Sequence, residues 1–170
     1  LAPLPDGTAM GLRTAQNLAP AVDRLICVVR PDDQVLQNLF QQHGFETVVC
    51  EDVGLGMSAS LKAGICATEE DTDWLIALAD MPFIKPDTHE LIAENLRQFG
   101  GIISPEFAGK RGHPVGFSHN YRSALLQLTG DQGARPALAR YANDVRVIAA
   151  DDPGICRDVD TPDELSNLLH

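Results

Sequence analysis

An α/β architecture with a mostly parallel sheet is expected of this chain, and two observations carry that expectation. Short apolar runs alternate with segments of helical periodicity along almost the whole sequence, as in βα units whose strands lie side by side. The run Trp74-Leu-Ile-Ala-Leu-Ala79 is also apolar without interruption, which suits a parallel strand covered on both faces. It stops abruptly at Asp80-Met-Pro82, where the proline lacks the N–H that a ladder requires.

From the N-terminus, Thr8 is the expected cap of a helix that carries Met10, Leu12, Ala15 and Leu18 and ends near Pro20. Residues 25–29 are apolar and β-branched, hence a strand. Pro31-Asp-Asp33 opens a helix in which Val35, Leu36, Leu39 and Phe40 recur at helical spacing, and His43-Gly44 stops it. Residues 45–50 read as a strand, and 57–67 as a helix with Leu61 and Ile65 facing inward. The 74–79 strand is followed by a helix over 86–99 and by short strands at 101–104 and 113–117. Ser118 is expected to cap a helix containing Tyr121, Leu125 and Leu126. A loop at 130–133 leads into a short helix over 134–141, with Pro136 in its first turn. A strand at 145–149, a very short one at 157–160 and a final helix capped by Thr161 on Pro162 complete the series. No repeat, low-complexity tract or linker divides the chain, so residues 1–170 are read as a single domain.

Composition narrows the function. A net charge of −11 argues against a general nucleic-acid-binding surface, which needs clustered Lys and Arg. A small anionic ligand stays compatible, held by local cations, backbone N–H groups and a metal. No apolar run approaches the ~20 residues of a membrane span, and no signal peptide is visible. Cys27, Cys50, Cys66 and Cys156 are widely spaced, with neither CxxC nor Cys/His ligand spacing, so they read as reduced thiols of a cytoplasmic protein. The opening Leu1-Ala-Pro-Leu-Pro-Asp-Gly-Thr8 has the character of a loop, and reads as that of a chain whose start is missing.

Four stretches hold candidates for chemistry. Asp80 lies at the carboxyl end of its strand, the edge where open α/β sheets bind ligands. A carboxylate there can hold a divalent cation that bridges to a phosphate, and capping the turn into the 86–99 helix is the equally open alternative. The loop Val53-Gly-Leu-Gly-Met-Ser-Ala-Ser60 places Gly56, Met57, Ser58 and Ser60 where a helix begins, and free N–H groups there favour anions. A tight turn with a serine cap is the competing reading. In Gly109-Lys-Arg-Gly-His-Pro114 the cations Lys110 and Arg111 precede Gly112, His113 and Pro114 at a strand entry, although a hairpin tip has the same composition. In Arg157-Asp-Val-Asp-Thr-Pro162, strand alternation sends Asp158 and Asp160 to one side, where paired carboxylates repel unless a cation sits between them. Asp160 would otherwise help to cap the helix that follows. Brought together with Asp80, these acids make a hard oxygen site suited to Mg²⁺.

Leu78-Ala-Asp-Met-Pro82, Gly56-Met-Ser-Ala-Ser-Leu61, Gly112-His-Pro114 and Asp158-Val-Asp-Thr-Pro162 together resemble the MobA-like nucleotidyltransferases, over essentially the whole chain. The branch they resemble most is the molybdenum cofactor cytidylyltransferase (MocA-type) group. The resemblance implies a Rossmann-like, three-layer α/β/α fold of the nucleotide-diphospho-sugar transferase type, with a mostly parallel mixed sheet. It implies transfer of CMP from CTP to the terminal phosphate of molybdopterin–molybdenum, with release of pyrophosphate, Mg²⁺ as cofactor and a molybdoenzyme as recipient of the product. On that likeness Asp80 is the metal-binding acid and Asp158 or Asp160 the second acid, all three counted as catalytic. Gly56, Met57, Ser58 and Ser60 fall near the nucleotide. Gly112, His113 and Pro114 fall on the cofactor side, with Lys110 and Arg111 beside them to meet phosphates.

The sequence departs from the family in one respect. Family members open with a strand and a glycine-rich signature of the type LAAGxSxRMGxxK, whereas residues 1–8 match the stretch that normally follows it. That first strand is central in the family's sheet, so the domain is expected to be N-terminally incomplete. A related transferase with another nucleotide or acceptor, such as a guanylyltransferase or a nucleotide-sugar synthase, remains an alternative. So does a non-catalytic protein that binds molybdopterin and delivers it.

Overall fold

The computed structural model describes residues 3–159. Its first helix, α1 (Met10–Leu18), buries Leu12, Thr14 and Ala15 on one face. Thr8 precedes it without capping it; the cap position is Ala9, and Thr8 instead receives Arg13 on its hydroxyl and gives its own N–H to Asp6. Strand β1 (Ile26–Val29) pairs in parallel with β2 (Glu46–Val49), from Ile26 opposite Glu46 to Val29 opposite Val49. The crossover between them is α2 (Gln34–Gln42), capped as its sequence suggests by Asp33, whose carboxylate accepts the Leu36 N–H at 3.0 Å. Leu12 and Ala15 of α1 pack with Cys27, Val29 and Phe40 into one apolar cluster.

The second sheet begins with β3 (Trp74–Ile76), shorter than the expected run to Ala79. Its neighbour β6 (Val115–Phe117) supplies only three partners, ending at Ile76 opposite Val115. Beyond that point Pro114 has no N–H to offer, and the His113 N–H is turned to the Ile155 carbonyl at 3.0 Å. On its far side β6 pairs antiparallel with β4 (Ile102–Phe107), which folds back through a tight turn at Ala108-Gly109 into β5 (Lys110–Arg111). Strand β7 (Val145–Ala149) joins β4 in parallel over its whole length. Among the described residues, two strand pairings are thus parallel and three antiparallel. The mostly parallel expectation is corrected to a small parallel sheet beside a mixed, largely antiparallel one. The physical reason is local: residues 101–117 hold three strands with no helix between them, so they must double back on one another.

Helices cover both sheets. Helix α3 (Met57–Cys66) touches β1, where Gly64 lies against Val28, and also sends Ile65 and Leu61 into the cluster of Trp74 and Ile76 of β3. On α1, Gly11 lies between Phe40 and Ala79, so this helix likewise reaches from the β1–β2 unit to the end of β3. Helix α4 (Pro86–Phe99) lays Ile92 and Leu96 on Ile103, and α5 (Arg122–Leu126) and α6 (Arg135–Arg140) close the Phe117–Leu125 core. The expected very short strand at 157–160 is absent as far as Val159, and Asp160, Thr161 and the final helix lie outside the described residues. No described helix is long and apolar enough to cross a membrane.

Candidate active site

Asp80 stands in a turn just beyond β3 whose backbone is held from three directions. From α1, the Thr14 hydroxyl donates to the Ala79 carbonyl at 3.2 Å, and the Asn17 amide donates to the carbonyls of Pro82 and Ile84, each at 3.0 Å. From the C-terminal side, the Val159 N–H donates to the Asp80 carbonyl at 3.0 Å. From below, Asp152 ties the start of α4: its carboxylate accepts the Lys85 N–H at 2.9 Å, the Thr88 hydroxyl at 2.7 Å and the Gly154 N–H at 2.9 Å. Lys85 makes no side-chain cap of its own, so the capping carboxylate of α4 is Asp152 rather than Asp80.

The segment 152–159 is threaded between this turn and the Gly112–His113 strap. A Cβ on Gly154 would lie 2.3 Å from the Phe83 carbonyl oxygen, and one on Gly112 would lie 2.0 Å from that of Ile155. Both positions therefore need glycine for close approach of backbone to backbone. Gly112 also gives its N–H to the Pro105 carbonyl, and the His113–Pro114 peptide bond is cis. Burial pushes the His113 imidazole below its ordinary pKa; a hydrogen bond to the Ile76 backbone and the nearby Asp80 charge oppose this, and Arg135 reinforces it. Burial thus favours the neutral form of His113, which lies within electrostatic reach of Asp80.

Asp158 is brought to the same region by the Val159 bond, with Val159 itself buried. It lines a cleft of about 340 Å³ with Lys110, Phe107, Ala108, Pro153, Cys156 and Arg157. Lys110 and Arg111 form the return strand of a hairpin, both exposed, and Lys110 faces this cleft while nothing places Arg111 in it. No group of three His, Cys, Asp or Glu side chains that could hold a metal ion occurs among the described residues. Mg²⁺ commonly keeps several waters and binds through one or two carboxylates plus substrate phosphates, so a single carboxylate such as that of Asp80 has the hard-oxygen chemistry such an ion takes without a protein cage.

The Gly56–Ser60 loop has a different environment from the one its glycines suggest. Gly56 adopts φ 89°, and the Ser58 N–H donates to the Gly130 carbonyl at 3.1 Å instead of standing open. Ser58 is buried, Met57 half exposed, and Ser60 intermediate. The loop is buttressed by the 130–133 turn, which sequence reading treated as a plain connection.

Four contributors escaped the sequence reading. Asp152 looks like one acid of the ordinary turn Asp151-Asp-Pro-Gly154, and nothing local reveals that it serves α4. Thr14 and Asn17 look like polar residues of an amphipathic helix. Arg135 had a signal, since two glycines bracket the turn just before it.

The profile of the MobA-like NTP transferase domain matches residues 1–146. No curated protein matches the sequence. Among solved structures, Rv0371c from Mycobacterium tuberculosis H37Rv is similar at 29% identity and a TM-score of 0.84, covering 99% of this chain and 87% of that one. Rv0371c in complex with manganese is similar at 27% identity and a TM-score of 0.81, covering 99% of this chain and 89% of that one. A nucleotidyl transferase from Methanothermobacter shares the fold, at 21% identity and a TM-score of 0.80 over 99% of this chain and 82% of that one. With the family profile spanning most of its length, the chain belongs to the MobA-like NTP transferase domain family, and its class of chemistry is nucleotidyl transfer.

Proposed function

We propose that this protein transfers CMP from CTP to the terminal phosphate of a molybdopterin-type cofactor and releases pyrophosphate. The observation that carries this reading is the stitched site past β3, in which Asp80, Asp158 and the Gly112-His-Pro114 strap are held together by backbone bonds. An oxygen of the acceptor phosphate forms the new bond to the α-phosphorus as the bond from that phosphorus to the pyrophosphate oxygen breaks. The acceptor is already anionic, so no side chain need serve as its base. Positioning and charge neutralisation then supply the rate. Asp80, with Asp158 or Asp160, would hold Mg²⁺, which when bound neutralises charge on the phosphates. That Rv0371c has been solved in complex with manganese supports a divalent cation as cofactor. Gly56, Met57, Ser58 and Ser60 face the nucleotide; Gly112, His113 and Pro114 face the cofactor, where the neutral imidazole can donate or accept a hydrogen bond. Lys110 and Arg111 meet phosphates. The product passes to a molybdoenzyme, in the cytoplasm, where four free cysteines stay reduced.

The domain is completed, on this reading, by a strand and glycine-rich loop entering between β1 and β3. Those strands are not paired to each other among the described residues, yet α1 and α3 both span from one to the other. A strand spacing of about 4.8 Å on each side would join the two sheets into one mixed layer.

The test is pyrophosphate release with molybdopterin–molybdenum as acceptor, run with CTP, GTP, UTP and ATP. It is made on residues 1–170 and on the same residues extended upstream by the strand and loop. The extended protein is expected to turn over CTP and the shorter one to bind it weakly without transfer. Turnover of GTP instead would move the protein to guanylyl transfer, and cofactor binding without turnover by either would make it a delivery protein.

A further inference from the structure

The cleft that Asp158 lines has two walls of different origin. One is the hairpin of β4 and β5, which supplies Phe107 and Lys110. The other is the segment 153–158, which supplies Pro153, Cys156 and Arg157. The Cys156 thiol donates to the Lys110 carbonyl at 3.6 Å and the His113 N–H to the Ile155 carbonyl at 3.0 Å, which fastens the two walls together. Phe107 is half-buried and packs on the cluster of Met81, Ile84 and Ile155, so its ring is fixed while part of it faces the cleft. Asp158 lies at the end next to the Asp80 turn, since the following residue, Val159, is the one bonded to the Asp80 carbonyl.

Two cations, Lys110 and Arg157, stand in this cleft against one acid, and neither makes an ion pair or a side-chain hydrogen bond among the described residues. Arg30, Arg111 and Arg135 are also without a side-chain partner there, but none of them lines the cleft. A larger hollow of about 550 Å³ beside the start of α5 has the opposite character. Its Arg122 is engaged by the carbonyls of Ile65, Thr68 and Glu69, and its His119 by Asp73. In a chain of net charge −11, two unengaged cations in one cleft favour an anion. The planar guanidinium of Arg157 beside an ammonium matches a phosphate, and the Phe107 ring offers an apolar surface to a ring on the ligand. At about 340 Å³ the cleft suits a compact molecule, at the lower end of small-molecule sites.

We propose that this cleft seats the acceptor: its phosphate is held between Lys110 and Arg157, and its ring lies against Phe107. Arg157 is thereby a substrate-binding residue. That the ligand is the acceptor rests on the transferase reading above; that it is a ring-bearing phosphate rests on the cleft itself.

The probe is 1-naphthyl phosphate, with inorganic phosphate as the ringless comparison. Each is titrated by NMR into residues 1–170, into Lys110→Gln, Arg157→Gln and Phe107→Leu, and into the surface control Arg140→Gln, with thermal melts to confirm folding. The parent and Arg140→Gln are expected to bind 1-naphthyl phosphate alike, and more tightly than inorganic phosphate. Lys110→Gln and Arg157→Gln should each raise its Kd by roughly fivefold. Phe107→Leu should weaken the naphthyl compound and spare inorganic phosphate. Cys156 gives a local reading: the bound probe should slow its alkylation by iodoacetamide and leave that of Cys66, also exposed, unchanged. Should Phe107→Leu melt early, the two charge variants and the protection of Cys156 decide. Equal affinities across the charge variants, no binding by the parent, or no protection of Cys156 overturns the proposal. In the protein extended upstream, Arg157→Gln should raise the KM of the acceptor and not that of CTP; a rise confined to CTP overturns the acceptor assignment. Probe binding that depends on Arg157, without nucleotidyl transfer from any nucleotide, keeps the cleft as an organic-phosphate site and sinks the transferase reading instead.

Discussion

Removing the Asp152 carboxylate should loosen the Asp80 turn from below. Its oxygens serve three donors, the Lys85 N–H, the Thr88 hydroxyl and the Gly154 N–H, and the residue is 1% exposed. Hydrogen bonds to a charged group contribute roughly 1.5–3 kcal/mol each, while burying the carboxylate costs several kcal/mol that the truncated protein no longer bears. The net expectation for Asp152→Ala is a loss of about 2–5 kcal/mol, or a fall in Tm of roughly 5–15 °C. Asp152→Asn keeps one oxygen for Lys85 and Thr88 but turns an NH₂ toward the Gly154 N–H, so about half of that loss is expected. Urea denaturation is the assay, with the midpoint falling in the order parent, Asn, Ala at constant m-value. Asp152→Ala within ~1 kcal/mol of the parent would refute the claim that this acid anchors α4 and the turn.

Other expectations follow from single residues. His89 is fully buried and its pKa is pushed down to about 4 by burial, with the Asp152 charge opposing. Its contribution is fully present above about pH 6.5 and is lost as pH falls through 4, by about 3 kcal/mol at most. His89→Leu should flatten that part of the stability–pH curve, and an unchanged slope would contradict it. Gly112→Ala drives a Cβ to 2.0 Å from the Ile155 oxygen and should cost about 1–3 kcal/mol or more, whereas Gly54→Ala meets nothing within 4 Å and should be near neutral; equal melting curves would overturn the contrast. Cys66 and Cys156 are exposed, while Cys27 and Cys50 are buried and burial pushes the Cys27 thiol up to about 12. A thiol reagent should therefore modify two cysteines in the native protein and all four after unfolding.

The helices were legible because their signals are local: apolar spacing in α2 and α4, Asp33 as a cap, Pro86 and Pro136 in first turns. The sheet was less so. Partner choice depends on residues far apart, and the shortening of β3 follows from what Pro114 and His113 do at the end of β6. At the site, the Asp80 turn and the approach of Asp158 could be anticipated from acids beside prolines and strand ends. The service of Asp152 to α4 could not, because it spans 67 residues and the sequence around it is a common turn. The Gly56–Ser60 loop shows the converse case, since its glycines fit an anion cradle but one of its N–H groups is taken by Gly130.

The role of Asp80 is tested most directly by manganese binding, followed by electron paramagnetic resonance in the presence of CTP, in the parent protein and in Asp80→Asn. With its turn pinned by Thr14, Asn17, Val159 and Asp152, the substitution should leave Tm nearly unchanged. Manganese affinity should nevertheless fall by roughly tenfold or more. Equal manganese uptake by Asp80→Asn, or a loss of binding that merely follows a collapse in Tm, would contradict the assignment.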